Sequence, residues 1–470
     1  MKERMQKMPT RSGSYPQQSR PEAEGTEGVQ TFMHVVDGSL TTEQPNRYPL
    51  MEQILSPANL NAAYRQVMRN KGAAGIDRMG CDLLLGYLLE HKDALTESIR
   101  QRTYRPNPVR RVEIPKDNGK KRLLGIPTVV DRMIQQAIAQ VLTPVYECQF
   151  SEGSFGFRPN RGAKQALVHV TEIVGEGYRY AVSIDLERFF DTVNHAKLIE
   201  ILQRTIKDDA VISLIHRYLN AGVMVGTKVK STHEGTPQGG PLSPLLANVL
   251  LNELDKELER RGHPFVRYAD DSLIFCKSRR AAERVRDSIT VFIEDRLKLK
   301  VNREKTECGY ISGLKFLGYG FYMRNGKCRL RLHEKSEAKL RRKLKQITSR
   351  SNGMGYEQCK TALRNCLQGW SEYFNLADMG KKVIEIDKWL RRRLRMCIWK
   401  SWKKPQTRVE NLIRCGIAKW QAYQWGNTSK GYWRIAGCGI LDRAIGDESL
   451  RRAGYSWISC YYSASALPKS

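Results

Sequence analysis

The stretch FVRYADDSLIFC, Phe265–Cys276, decides how the chain reads. Two short apolar runs, Phe265–Ala269 and Leu273–Cys276, flank the adjacent carboxylates Asp270 and Asp271. The pattern predicts a β-hairpin with both acids at its tip. Neighbouring carboxylates repel, and holding them where solvent is limited is costly unless a cation neutralises them, which points to a divalent metal. Taken alone, the pair reads more readily as an acidic turn whose carboxylates are merely solvated.

Residues on either side separate these readings. In YAVSID, Tyr180–Asp185, Val182 and Ile184 alternate with Ala181, Ser183 and Asp185, so a buried strand ends on a third acid. Phe189, Phe190 and Asp191 follow, and Asn194 suits the cap of a helix over His195–Leu202. Gly235–Asp255 opens as a stiff Pro- and Gly-rich loop that exposes Gln238. It continues as a helix started by Ser243 and Pro244, with Leu246, Leu250 and Leu254 on its apolar face. Strands are expected over Val109–Pro115 and Lys121–Ile126, joined at Asp117-Asn118-Gly119. The cations on this hairpin, Arg110, Arg111, Lys116, Lys120, Lys121 and Arg122, suit a triphosphate or a nucleic-acid backbone. An edge hairpin guarded from aggregation by lysines is the alternative. Helices are expected over Ser56–Asn70, Cys81–Arg102, Asp131–Tyr146 and Ala281–Leu297. Phe150–Asn160 reads as an aromatic, glycine-rich loop, Lys298–Thr306 as an extended basic segment and Leu314–Met323 as an aromatic strand pair.

The 470 residues, 41% hydrophobic, suffice for two or three domains with a real core. Against 49 acids stand 79 Lys and Arg, a formal charge of +30 that self-repels unless a polyanion is bound. Nucleic acid is the expected partner. No apolar run approaches the roughly 18 residues of a membrane span and no signal peptide appears, so a soluble, cytoplasmic protein is expected. The 11 cysteines are scattered without a C-x-x-C pair, which argues for reduced thiols and against structural zinc. The last histidine is His333, which excludes a His-dependent HNH nuclease from the C-terminal third. Residues 1–45 have the composition of a disordered leader. From Arg331 to Lys404, 20 Lys and Arg face seven acids on segments of helical period, interleaved with Trp370, Trp389, Trp399 and Trp402. Such helices suit a folded RNA, with Arg341, Arg342, Lys343, Arg391, Arg392, Arg393 and Lys400 as candidate contacts; a basic, solvated bundle with Trp in its core is the alternative.

Three acids at two strand ends, a basic hairpin, a rigid Pro-Gln-Gly loop and a basic helical tail together fit nucleotidyl transfer. Two Mg²⁺ ions about 4 Å apart would activate a primer hydroxyl and stabilise departing pyrophosphate.

The order of motifs resembles the reverse transcriptases encoded by bacterial group II introns, which are also maturases. It rests on GIPTVVDR (Gly125–Arg132), FGFRP (Phe155–Pro159), DLERFFDTVNH (Asp185–His195), GTPQGGPLSPLLAN (Gly235–Asn248), RYADD (Arg267–Asp271) and FLGY (Phe316–Tyr319). GWSEYF (Gly369–Phe374), WLRRRLR (Trp389–Arg395) and KGYWR (Lys430–Arg434) look like the maturase region. The resemblance implies an α+β right-hand polymerase followed by a helical maturase domain. Residues 46–164 would form an N-terminal extension and fingers and residues 165–328 the palm with inserted finger segments. Residues 329–404 would be thumb and maturase helices, and 405–470 the C-terminal maturase region without an HNH endonuclease. Asp185, Asp270 and Asp271 match the family's catalytic, Mg²⁺-binding triad, and Phe190 matches its gate against the ribose 2′-hydroxyl. Lys116, Arg122, Gln238 and Lys305 match residues near the dNTP. The implied partners are the intron RNA, an RNA template with a DNA primer or DNA target, and dNTPs. Arg161-Gly162-Ala163-Lys164 replaces the Ser and His often found after FRP, and Tyr432 stands where Pro is common; both leave splicing specificity open. An RNA-binding splicing cofactor with a vestigial polymerase site, a retron or diversity-generating reverse transcriptase, and an RNA polymerase are the competing readings.

Overall fold

The computed structural model describes residues 49–115, 121–226, 228–236, 239–349 and 353–462. Its strands, in chain order, are β1 (Val109–Pro115), β2 (Lys121–Ile126), β3 (Tyr180–Ile184), β4 (Val223–Val225), β5 (Lys228–Lys230), β6 (Phe265–Tyr268), β7 (Asp271–Cys276), β8 (Glu307–Tyr310), β9 (Lys315–Phe316), β10 (Tyr319–Arg324) and β11 (Lys327–Leu332). The chain divides into two compact units, one of residues up to Tyr146 with Ile199–Ser243, the other of Glu147–Leu198 with Pro244 onward.

In the first unit, Ser56 caps the helix Pro57–Asn70 as expected, its hydroxyl accepting from the Asn59 N–H at 3.4 Å. The expected β1–β2 hairpin forms, antiparallel from Arg110 opposite Ile126 to Pro115 opposite Lys121. Its expected Asp117-Asn118-Gly119 turn lies outside the described residues, as do residues 1–45. The sheet extends to β4, parallel to β1, and then to β5, two three-residue strands not anticipated from the sequence. Buried Asp131 ties the sheet to the helix Val129–Glu147: its carboxylate accepts from Tyr104 Oη (2.6 Å), Thr128 Oγ1 (2.6 Å) and the Asn107 N–H (3.2 Å).

The second unit is built on an antiparallel sheet in the order β6-β7-β3-β8. Ala181, Leu273 and Phe275 point to one face, where they join a core with Ala166, Leu167 and Val170 of the helix Ala163–Gly175. Val182, Ile184 and Ile274 alternate to the other face. The helix Arg279–Arg296 packs against β3, β7 and β8. A sheet covered on both sides explains the nearly unbroken apolar run of β7. A smaller sheet, β11-β10-β9, contains the expected aromatic strand pair with β11 added. The same apolar core continues into the helices Glu334–Ile347, Tyr356–Tyr373 and Gly380–Ser401, reaching Trp399 and Trp457. The architecture is α+β, a sheet domain followed by a helical domain.

Arg267 of β6 is 1% exposed, and its guanidinium is fully committed. Nε and Nη2 donate to both oxygens of buried Asp255 (2.8 and 2.5 Å), Nη1 to Asn248 Oδ1 (2.9 Å) and the Ala269 carbonyl (3.1 Å), and Nη2 also to Ser154 Oγ (2.8 Å). One side chain therefore joins the helix Ser243–Arg260, the loop at Ser154 and the turn after β6. Removing only the cation strands a buried carboxylate, so Arg267→Leu should cost about 3–5 kcal/mol, read as a lowered urea midpoint. Arg267→Leu combined with Asp255→Leu should cost less than Arg267→Leu alone.

Candidate active site

The three acids meet because of strand register. β6 and β7 pair antiparallel with Tyr268 opposite Asp271, so Ala269 and Asp270 form a two-residue turn. This is the expected hairpin, with β6 ending one residue earlier than the apolar run suggests because Ala269 adopts φ +58°, a left-handed value uncommon outside glycine. β3 lies beside β7 with Ile184 opposite Ser272; one further step along this register sets Asp185 opposite Asp271.

Past β3 the chain is held to the basic segment that follows the helix Arg279–Arg296. The Asn302 N–H donates to the Asp185 carbonyl (2.8 Å), the Glu187 N–H to the Lys300 carbonyl (2.8 Å), and the Asp185 N–H to Thr306 Oγ1 (3.3 Å). This zipper places Lys305 Nζ 3.3 Å from Asp185 Oδ1. Asp271 keeps access to solvent at the mouth, yet protein mass limits its hydration. Burial, then the negative charges of Asp270 and Asp185, push its carboxyl up to about 6 against the opposing pull of Lys315 and Lys305. Lys315 was not singled out from the sequence; it lies one residue ahead of Phe316 in FLGY, and only the fold turns it toward the acids.

Of the two aromatic residues after Asp185, Phe189 is buried and Phe190 half-buried, their rings 5.1 Å apart edge to face. Phe189 supplies the packing, and Phe190 stays partly exposed. Arg122 lies in β2 of the first unit; Asp185, Asp270, Asp271, Phe190 and Lys305 lie in the second. Lys116 and Gln238 are outside the described residues.

Among the described residues, no three His, Cys, Asp or Glu side chains converge tightly on one point. The carboxylates instead share the mouth as mutually repelling charges, one of them paired with Lys305. Hard oxygen donors at the open end of a sheet suit a magnesium-type cation, which would offset both the burial and the like charge that raise the Asp271 carboxyl.

The candidate RNA contacts are distributed unevenly. Arg342 and Lys343 are exposed on the helix Glu334–Ile347, whereas Arg341 bonds Glu337 at 2.9 Å and lies over the Trp389 ring. Arg393 is buried and donates to Thr348 Oγ1 (2.8 Å), which makes it a packing group. Arg391 pairs with Asp447 (3.4 Å), Arg392 lies 4.2 Å over the Trp433 ring, and Lys400 lies 5.7 Å over Tyr432. Trp399 is core, while Trp370, Trp389 and Trp402 are half-buried. No helix among the described residues is long and apolar enough to cross a membrane.

The raised Asp271 carboxyl has a pH signature. Without divalent metal, the folded state binds this proton more tightly than an ordinary carboxyl of 3.8, so the associated stability is complete below that value and is lost as pH rises through about 6. Thermal melts in chelator should therefore show a decline over this window that Asp271→Asn abolishes.

Residues 114–321 match the family model described as reverse transcriptase (RNA-dependent DNA polymerase), and residues 338–416 match the group II intron maturase-specific domain. Protein YkfC of Escherichia coli (strain K12) is 32% identical over an alignment covering 57% of this chain and 82% of that protein. The group II intron-encoded protein LtrA of Lactococcus lactis subsp. cremoris is 36% identical over 40% of this chain and 31% of its own length. A putative COX1/OXI3 intron 2 protein of Saccharomyces cerevisiae is 30% identical over 34% of this chain and 18% of that protein. This chain thus spans most of the first relative and less than a third of the other two. The family matches cover the acid-bearing sheet and the basic helices in that order, and the chain belongs to the group II intron reverse transcriptases, RNA-directed DNA polymerases that carry a maturase domain.

Proposed function

We propose that the protein copies RNA into DNA at Asp185, Asp270 and Asp271, and that its helical domain holds the intron RNA in its splicing-active fold. The observation that carries the first part is the strand register, which sets Asp185 opposite Asp271 with Asp270 in the adjoining turn, and the raised carboxyl of Asp271, pushed up by burial and then by the charges of Asp270 and Asp185. These three side chains would hold two Mg²⁺ ions. When bound, the ions supply Lewis-acid activation of the primer 3′-hydroxyl and charge neutralisation on the leaving pyrophosphate. Lys305, now beside Asp185, would then be free to meet the triphosphate, a role shared with Lys116 and Arg122. Phe190 would stand where a ribose 2′-hydroxyl collides with its ring, which favours dNTPs. Gln238 would lie against the nascent base pair. Substrates on this reading are an RNA template with a DNA primer or DNA target, and dNTPs.

For the second part, the support is the charge of residues 331–404, which keeps an excess of 13 cations although several arginines are spent internally. Residues 46–164 are assigned to the N-terminal extension and fingers, 165–328 to the palm with finger segments, 329–404 to thumb and maturase helices, and 405–470 to the C-terminal maturase region.

Asp270→Ala with Asp271→Ala should abolish dNTP incorporation on a primed RNA template in Mg²⁺ and leave affinity for the intron RNA intact. Persistent incorporation would remove these acids from the chemistry. Incorporation absent from the parent, with intron binding present, would favour the splicing-cofactor reading. Phe190→Ala should narrow the preference for dNTP over NTP by about ten-fold or more, measured as the ratio of kcat/KM values. An unchanged ratio would reassign Phe190 to the core.

A further inference from the structure

In the loop that leads into the helix Ala163–Gly175, residues 153–158 are buried except for Phe157. Phe155 is buried, and its N–H donates to the Arg267 carbonyl at 2.9 Å. Gly156 lies so close to the catalytic turn that a Cβ there would collide with the Ala269 nitrogen. Its carbonyl accepts from buried Asn248 Nδ2 at 2.8 Å. On the other side Arg158 is buried, donating to Glu147 (2.7 Å) and to the carbonyls of Ser151 (2.6 Å) and Ser154 (2.9 Å). Both neighbours of Phe157 are therefore anchored, and its ring is left exposed.

Between these anchors Phe157 is 53% exposed and adopts φ +58°. A bulky residue in the left-handed region is strained, and an exposed phenyl gains nothing from burial. Asn or Gly would satisfy the backbone better. Folding alone therefore does not explain the ring, whereas a ligand at the turn does. Four and seven residues on, Arg161, paired with Glu152, and Lys164 line an open cavity of about 760 Å³ that Phe157 itself does not line and that also holds Glu147 and Glu172; Lys164 has no acidic partner among the described residues.

We propose that Phe157 binds the template strand, its ring stacking on the unpaired template base next to the primer terminus. This rests on the polymerase reading of the acids and adds a contact to it. A base inside a duplex offers its face to neighbouring bases, while an unpaired one offers it to an aromatic ring. Stacking of this kind ignores base identity, as copying any template requires.

The test measures affinity by fluorescence anisotropy, without dNTPs, for an RNA–DNA hybrid with a 5′ RNA overhang and for a blunt hybrid. Phe157→Ala and Phe157→Asn should weaken overhang binding by about ten-fold and blunt binding by less than about two-fold, with Phe157→Tyr near the parent. Phe157→Asn should melt no lower than the parent, because Asn tolerates the left-handed backbone. Equal losses on both hybrids, unchanged overhang affinity, or a Phe157→Tyr loss as large as that of Phe157→Ala would overturn the assignment. A parent that extends primers while Phe157→Ala binds normally refutes this inference alone. A parent that needs Phe157 for the overhang yet extends no primer refutes the polymerase reading alone.

Discussion

The buried pairing of Arg267 with Asp255 is the constraint on which the acidic mouth depends. A two-residue turn carrying a carboxylate beside two others has no electrostatic reason to stay closed, since each acid gains by moving away. The Arg267 guanidinium opposes that tendency from beneath. It is anchored by a bidentate carboxylate on the helix Ser243–Arg260 and donates to the Ala269 carbonyl of the turn itself. Arginine alone carries enough donors in a planar fork to hold a helix, a loop and a turn at once; a lysine would have to choose among them. The arrangement also explains why the loop at Ser154–Gly156 lies against the turn: it supplies an acceptor to Arg267 and receives the Asn248 amide in return.

Above this brace the site is a balance between repulsion and pairing. The register of β3 on β7 brings Asp185 opposite Asp271, and the zipper to residues 300–306 brings Lys305 to Asp185. Lys305 and Lys315 lower the cost of gathering three acids but leave Asp271 with an elevated proton affinity. Left-handed backbone occurs in the turn itself at Ala269, in the loop against it at Phe157, and at Arg188, which directly precedes the phenylalanine pair, as well as at several residues elsewhere. Strain and like charge concentrated at one mouth, on a well-packed sheet, are what a site poised for a ligand has in common with few other features of a fold.

The strands that carry the acids were legible in the sequence because both are central and buried, so their apolar runs are uninterrupted and end abruptly on Asp. β4, β5, β8 and β11 were not. The first two are three residues long, and β8 and β11 lie at sheet edges where charged and apolar residues mix, as in Lys327–Leu332. Their pairing is decided by the neighbouring strand, which a local pattern does not contain. Phe189 and Phe190 are told apart by the position of Phe190 after Asp185 in the family's motif, and the fold buries the first and leaves the second half-buried. Lys315 offered no signal at all, since its approach to Asp271 depends on how the two sheets join.

Charge was the most readable feature of the C-terminal half and the least faithful guide to individual residues. The run Arg391-Arg392-Arg393 suggests a phosphate-binding edge, yet helical geometry sends its members in three directions. Arg391 meets Asp447, Arg392 covers Trp433, and Arg393 enters the core at Thr348. Arg395, one turn beyond Arg391, pairs with Asp442 and donates to the Ile445 carbonyl at 2.9 Å. Guanidinium is weakly hydrated and flat, so it can be buried against rings and carbonyls at a cost an ammonium would not tolerate. Lysines stay outside, and Lys343 is exposed on the helix Glu334–Ile347. The same positive excess thus does two things: arginines pack the helices of this region against one another, and the remaining cations, mostly lysines, leave a positive field on their surface.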